Sequence, residues 1–232
     1  MKNRVFRVLF IIWRIFRPYI IGKNKKFIPN DIDDVLCFCF GRFNGLIRPM
    51  QIREELKKLC EFFIKKSPKV ILEIGTANGG TLFCFSKLAT SDATIISIDF
   101  QGGMFGGGYP EWKIPIYQSF AKDGQEIHLM REDSHLSATL EKIKKILNNR
   151  QIDFLFIDGD HSYEGVKKDF EMYKYLVKKG GVIAFHDIAP NGKEELTGGT
   201  PRFWRETKNN YQYNEFVSDI NQDGYGIGIL FL

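Results

Sequence analysis

The chain has 232 residues, 44% hydrophobic and 26% charged, which suffices for one sizeable core and sets it apart from disordered chains. Its net charge of +5 is concentrated at the amino end: residues 1–27 hold eight basic side chains and no acidic one, which leaves −3 on the remainder. A mildly acidic body argues against a nucleic-acid partner, because phosphate recognition gathers Lys and Arg around a groove.

The opening residues mix large apolar side chains with Arg4, Arg7, Arg14 and Arg17, which share one sector at about 100° per residue. That predicts an amphipathic helix. Its longest uncharged run, Val8 to Trp13, is six residues, far below the roughly 20 that cross a bilayer, and no small-residue cleavage site follows. A basic face opposite Phe, Ile, Leu and Trp suits a helix lying in a membrane interface. Packing against its own domain or a second subunit fits the same pattern. Residues 1–20 are therefore expected to make a peripheral membrane contact or a protein contact, homo-oligomer included, on a cytoplasmic chain. Pro18 is expected to end this helix. The domain reading is an extension at 1–27, a helical region at 28–66 and a sheet-bearing domain at 67–232.

A helix over residues 50–66 leads into alternating β-branched runs and helical patterns, the signature of a parallel sheet with crossover helices. Strands are predicted at Val70–Ile74, Thr94–Asp99, Ile127–Arg131, Phe154–Asp158 and Gly181–His186. The clearest helices are Gly80–Leu88, Leu136–Asn148 and Tyr163–Lys178, with Gly180-Gly181 as the stop after the last. A short helix near Arg202–Thr207 and two runs, Tyr211–Ser218 and Tyr225–Leu232, close the chain, and Asn221-Gln-Asp-Gly224 suits a hairpin turn between those runs. The expected fold is α/β, a mostly parallel sheet with a terminal antiparallel hairpin and helices on both faces. The four cysteines, Cys37, Cys39, Cys60 and Cys84, form no Cys-x-x-Cys pair and are read as reduced thiols.

Val70-Ile-Leu-Glu-Ile-Gly-Thr-Ala-Asn-Gly-Gly80 sets a carboxylate at the end of a buried strand, followed by a tight turn whose glycines admit a ligand to the backbone. Gly-x-x-x-Gly-Gly is neither the dinucleotide fingerprint nor a phosphate loop, so a nucleoside without phosphate is favoured. Asp99 closes the second strand, where a carboxylate takes two ribose hydroxyls. Glu73, Gly75, Thr76, Gly79 and Asp99 are thus candidate cofactor-binding residues. Asp133 and Ser134 end the third strand, either beside an adenine or as a helix cap.

Together with Phe156-Ile-Asp-Gly-Asp-His-Ser-Tyr-Glu-Gly165, these motifs resemble class I S-adenosylmethionine-dependent methyltransferases over about residues 45–232. The resemblance is closest to methyltransferase family 24, near the macrolide-sugar O-methyltransferases and the cephalosporin-hydroxylase-like proteins. It implies a Rossmann-like sheet and S-adenosylmethionine as cofactor, with Glu73 and Gly75 along its methionine part, Asp99 on the ribose, and Asp133 with Ser134 beside the adenine.

Asp158, Asp160 and His161 end the fourth strand, and His186 and Asp187 the fifth, gathering titratable groups where such sheets put their chemistry. Asp158 and Asp187, with Asp160, could hold Mg²⁺ to acidify a substrate hydroxyl. By resemblance to metal-dependent sugar O-methyltransferases, which carry Asp-x-x-His at the fourth strand and an acidic pair at the fifth, Asp158 and His161 are the catalytic candidates and His161 the general base. The sequence departs from that pattern at His186, where the first acid of the pair is expected. Asp158, Asp187 and His186 form the candidate metal set.

Glycine and aromatic residues in Gln101–Trp112 and Ala189–Trp204, notably Phe105, Tyr109, Trp112 and Trp204, suggest lids over a small-molecule or glycan substrate. The leading function is O-methylation of a sugar, glycan or related hydroxyl compound. An NAD-binding oxidoreductase and a membrane-docked, non-catalytic scaffold are the alternatives.

Overall fold

A computed structural model describes residues 16–102, 107–190, 199–219 and 221–232. The chain opens with helical residues 16–26, here α1. There follow α2 (Ile32–Gly41), α3 (Arg53–Lys66), β1 (Val70–Ile74), α4 (Gly80–Leu88), β2 (Thr94–Ile98), α5 (Ile114–Gln118) and β3 (Glu126–Met130). The second half comprises α6 (Ser137–Leu147), β4 (Ile152–Ile157), α7 (Tyr163–Tyr173), β5 (Val177–His186), α8 (Gly199–Thr207), β6 (Gln212–Phe216) and β7 (Ile227–Phe231). The seven strands pair in the order β3-β2-β1-β4-β5-β7-β6. All pairings are parallel except those of β7, which runs antiparallel to both β5 and β6.

Strict alternation divides the central strands between two apolar layers, as a sheet covered on both faces requires. Ile71, Phe154, Phe156, Val182 and Ala184 join the layer under α2, α3 and α4, where Phe63, Phe85 and Phe154 pack ring on ring. Leu72, Ile74, Leu155, Ile157, Ile183 and Phe185 join the layer under α6, α7 and α8. Their strands end side by side: Ile74 pairs Ile98 and Ile157, and Ile157 pairs Phe185. The loops after β1, β2, β4 and β5 therefore meet above one edge of the sheet, which places the candidate residues together.

Four local expectations are corrected. Pro18 does not end the first helix, whose turns continue to residue 26; a proline disturbs the turn upstream of itself and leaves the residues after it free to coil. The helix beginning at Tyr163 stops at Tyr173, and a 3₁₀ turn at Lys174–Leu176 leads directly into β5. Gly180-Gly181 consequently lies inside that strand, where Gly180 takes φ +77° and the β4–β5 register shifts. Tyr109 and Trp204 are core rings, each 1% exposed, and Trp204 packs on Gly228. The sequence lids also include 103–106 and 191–198, which lie outside the described residues, as does most of the amphipathic head. Among the described residues no helix is long and apolar enough to cross a membrane.

One buried charge ties the helical region to the end of the chain. Glu55 of α3 is fully buried and accepts from the backbone N–H of Ser218 (3.0 Å) and Gly226 (2.9 Å) and from Gln222 Nε2 (2.8 Å). Removing this acceptor leaves the Gly226 N–H without a partner, while the Ser218 N–H keeps Gln222 Oε1 and Gln222 Nε2 keeps the Gly224 carbonyl. Glu55→Ala is therefore expected to cost about 1–3 kcal/mol, read as a lower urea midpoint with an unchanged slope.

Candidate active site

The turn after β1 is braced from below by Glu73. Its carboxyl group accepts from Thr81 Oγ1 and Ser97 Oγ, both at 2.5 Å, and Thr76 Oγ1 lies 2.6 Å from Ser97 Oγ. Burial, together with the charges of Asp158 and Asp99, outweighs these bonds and pushes Glu73 up to about 8. Gly75 adopts φ +101°, and a Cβ there would stand 1.9 Å from the Asp158 carbonyl oxygen. The close approach of the β1 and β4 ends thus depends on that glycine. Gly79 takes φ +79° with the Tyr117 ring against it.

Asp99 closes the turn from the side. Its Oδ2 accepts from the Ala77 N–H at 2.6 Å and its Oδ1 from the Gly108 N–H at 2.8 Å. Burial raises its pKa above the ordinary carboxylate value despite these donors. Asp133 Oδ1 accepts from the His135 N–H, and the Ser134 carbonyl accepts from Tyr173 OH, so both sit in a fixed bend after β3.

Four titratable groups interlock at the ends of β4 and β5. His186 Nδ1 lies 3.0 Å from Asp158 Oδ1 and 3.3 Å from Asp187 Oδ1, while His161 Nδ1 lies 2.8 Å from Asp187 Oδ2. Burial opposes the charge on His186, but Asp158 and Asp187 overcome it and push the imidazole up to about 9. The same balance, dominated in turn by Asp187 and Asp158, raises His161. Burial would raise Asp187, yet the two imidazoles pull it below its ordinary value. Asp187 holds this position in the left-handed region, φ +59°, a conformation that costs a non-glycine residue energy and clusters at functional sites.

The sequence profile of a methyltransferase domain, methyltransferase family 24, matches residues 72–188. The chain belongs to this methyltransferase family. An Acanthamoeba polyphaga mimivirus protein is 32% identical to it over 132 residues, 57% of each chain. A Sinorhizobium fredii protein is 29% identical over 143 residues, 60% of this chain but only 15% of that one. Among solved structures, an O-methyltransferase from Bacillus cereus in complex with S-adenosylhomocysteine aligns with a TM-score of 0.56 at 17% identity, covering 91% of this chain and 95% of that one. CalS11, a TDP-rhamnose 3′-O-methyltransferase of calicheamicin biosynthesis, aligns with a TM-score of 0.58 at 17% identity over 91% of both chains. The fold is the Rossmann-like methyltransferase sheet.

Within the site, ligand atoms of Asp158, His161 and Asp187 all lie within 4.8 Å of one another. His186 stands behind them, its imidazole pushed toward the charged form by the two carboxylates. Asp160 is drawn away: its Oδ1 accepts from the Ser162 N–H at the start of α7. Mg²⁺ prefers a shell of oxygens; the trio offers two carboxylate oxygens and one imidazole nitrogen, and each carboxylate is also bonded to an imidazole, a poorer match for that ion than an all-oxygen set. For a sulfonium nucleoside the donor chemistry does fit. Each Asp99 oxygen holds one backbone donor and retains acceptor capacity for hydroxyls, and the acids Asp99 and Asp158 suit a positive charge.

Three site residues escaped the sequence reading. Gln51 donates to Asp158 Oδ2 from Nε2 at 2.6 Å. Lys113, 7% exposed, donates to Asn78 Oδ1 of the turn at 3.1 Å, and burial lowers its pKa. Tyr117 OH bonds the Ala77 carbonyl at 3.0 Å. Pro49 beside Gln51, and Pro110 and Pro115 around Lys113 and Tyr117, were the signals these stretches offered in the sequence.

Proposed function

We propose that this methyltransferase transfers a methyl group from S-adenosylmethionine to a hydroxyl of a sugar or related polyol. The observation that carries the reading is the bond from His161 Nδ1 to Asp187 beside Asp158, at the strand ends shared with the glycine turn and Asp99. Glu73, Gly75, Thr76 and Gly79 shape the cofactor turn, Asp99 takes the ribose hydroxyls, and Asp133 with Ser134 borders the adenine. When bound, S-adenosylmethionine supplies an electrophilic methyl carbon on a sulfonium.

The protein's own part is to align, to keep out water and to take a proton. With Nδ1–H committed to Asp187, the basic atom of a neutral His161 is Nε2. As the acceptor oxygen forms its bond to carbon and the carbon–sulfur bond breaks, the hydroxyl proton passes to that nitrogen. Asp187 and Asp158 stabilise the resulting imidazolium. His186 balances the charge of the two carboxylates, the task a divalent ion would otherwise perform. The sugar O-methyltransferase fold of CalS11 supports the acceptor class, and the basic residues 1–20 support a peripheral membrane contact that would bring a lipid-linked acceptor within reach.

The test is release of S-adenosylhomocysteine from S-adenosylmethionine in the presence of a panel of polyols. Turnover with at least one polyol, undiminished by EDTA and not increased by Mg²⁺, is the expected result. Turnover lost on chelation and restored by Mg²⁺ would sink the role given to His186.

A further inference from the structure

A cavity of about 660 Å³ adjoins the reaction centre, walled on one side by the segment between α2 and α3. Its lining includes Phe40, Asn44, Arg48, Gln51, Asn78 and Tyr225, and residues 40–52 precede the family match at 72–188. Three of these residues tie the cavity to the site. Gln51 bonds Asp158, Asn78 lies in the cofactor turn against Lys113, and the Tyr225 ring stands 6.1 Å from that of His186. The volume falls in the range of small-molecule sites, about 300–1,000 Å³.

Two features of the lining call for a ligand. Gln51 is 6% exposed, and its Oε1 is buried with no hydrogen-bond partner among the described residues. The amide cannot turn over to relieve this, since Oε1 would then face the Asp158 carboxylate that Nε2 now satisfies. Buried acceptors of this kind are rare without a partner. Arg48 is the second feature. Arg48 stands exposed at the cavity wall, rests 5.4 Å over the Phe40 ring and, like Arg42 and Arg150, has no carboxylate partner among the described residues. Among the described residues no acid lines the cavity. The wall between them is held by left-handed backbone at Phe43 (φ 53°), Asn44 (φ 51°) and Gly45 (φ 79°).

We propose that this cavity is the methyl-acceptor pocket and that it takes a phosphorylated polyol. Gln51 Oε1 accepts from a hydroxyl next to the one methylated, and the Arg48 guanidinium binds the phosphate ester. The inference rests on the methyltransferase reading above. One amide side chain then does two things: its nitrogen fixes the Asp158 carboxylate, and its oxygen sets the acceptor beside it. Guanidinium suits phosphate by its fork of donors, and a cation at the cavity wall selects charged acceptors over their neutral counterparts. A sugar phosphate and a nucleotide sugar share this chemistry.

Calorimetric titration of the full chain, saturated with S-adenosylhomocysteine, with glucose, glucose 1-phosphate and UDP-glucose separates the cases. At least one phosphorylated ligand is expected to bind tenfold or more tighter than glucose. Arg48→Ala should erase that preference while leaving S-adenosylhomocysteine affinity unchanged, and Arg48→Lys should restore part of it. Gln51→Leu should weaken the phosphorylated ligand as well. The sugar phosphate binding as tightly as UDP-glucose identifies the former as the recognised unit; tighter UDP-glucose adds a nucleotide contact. Equal binding of all three, or binding of none while S-adenosylhomocysteine still binds, overturns the proposal. If S-adenosylhomocysteine itself does not bind, the methyltransferase reading fails and this one with it.

Discussion

Replacing His161 with glutamine is expected to lower turnover by roughly 10²–10⁴-fold, the usual contribution of a positioned general base, while S-adenosylhomocysteine still binds. Glutamine keeps much of the shape and can still donate to Asp187, but it cannot take a proton. The pH profile gives a second reading of the same residue. A base must be neutral to act, and the charges of Asp187 and Asp158 hold His161 above its ordinary value. Turnover should therefore be low in acid and rise through a midpoint above about 6.5. Asp187→Asn removes the partner that holds Nδ1 at 2.8 Å, so the midpoint should move down even as the maximal rate falls. A rate unchanged in the glutamine variant, or a midpoint indifferent to Asp187, would remove His161 from the reaction. His186, which shares both carboxylates, must be kept intact in this comparison, because its charge acts on the same groups.

Asp99→Ala should weaken S-adenosylhomocysteine by roughly 10²–10⁴-fold. Two hydroxyl bonds to a carboxylate, at about 1.5–3 kcal/mol each, amount to that range of binding constants. Part of the loss would come from the protein itself, since the same carboxylate holds the Ala77 and Gly108 N–H groups. Ala77 sits at φ +45°, and without its acceptor the turn has less reason to stay there. Asp99→Asn separates the two contributions: it preserves one acceptor and the shape. It is expected to fall between wild type and alanine in titration calorimetry. Equal affinity in all three proteins would place the cofactor elsewhere.

The strands and the convergence of their ends were legible because they obey local rules. Val70–Ile74 and Gly80–Leu88 occur as the pattern indicates, flanking a turn whose glycines have specific steric partners. The closeness of Asp158, His161, Asp187 and His186 was legible because residues at adjacent strand ends must converge once the sheet is parallel. What stayed hidden depends on contacts between distant segments. Glu55 reads as one more acid on an amphipathic helix, yet its three donors come from residues 218–226. Gln51 carries no motif; its meaning lies in Asp158, 107 positions away. Tyr109 and Trp204 stand in glycine-rich stretches that look mobile, but a ring buried against Tyr117 or Gly228 is worth more to the fold than to a lid. Gly180-Gly181 looked like a helix stop because the same dipeptide permits a strand bulge, and only the pairing of Ile152 with Val177 decides between them.

The pairing of β5 with β7 bears on what counts as a unit of inheritance and of expression. Residues 72–188 carry the family pattern, but cut out alone they would end on β5 with Val182 to His186 deprived of their five partners at Phe231 to Ile227. Such a strand, apolar and open along its edge, is a template for aggregation. The carboxyl-terminal hairpin closes that edge, and Glu55 in turn fastens the hairpin from the helical region. The flanks outside the family match are thus the parts that cover the open edge of the shared centre, and a fragment trimmed to residues 72–188 would lose the protein it was meant to represent.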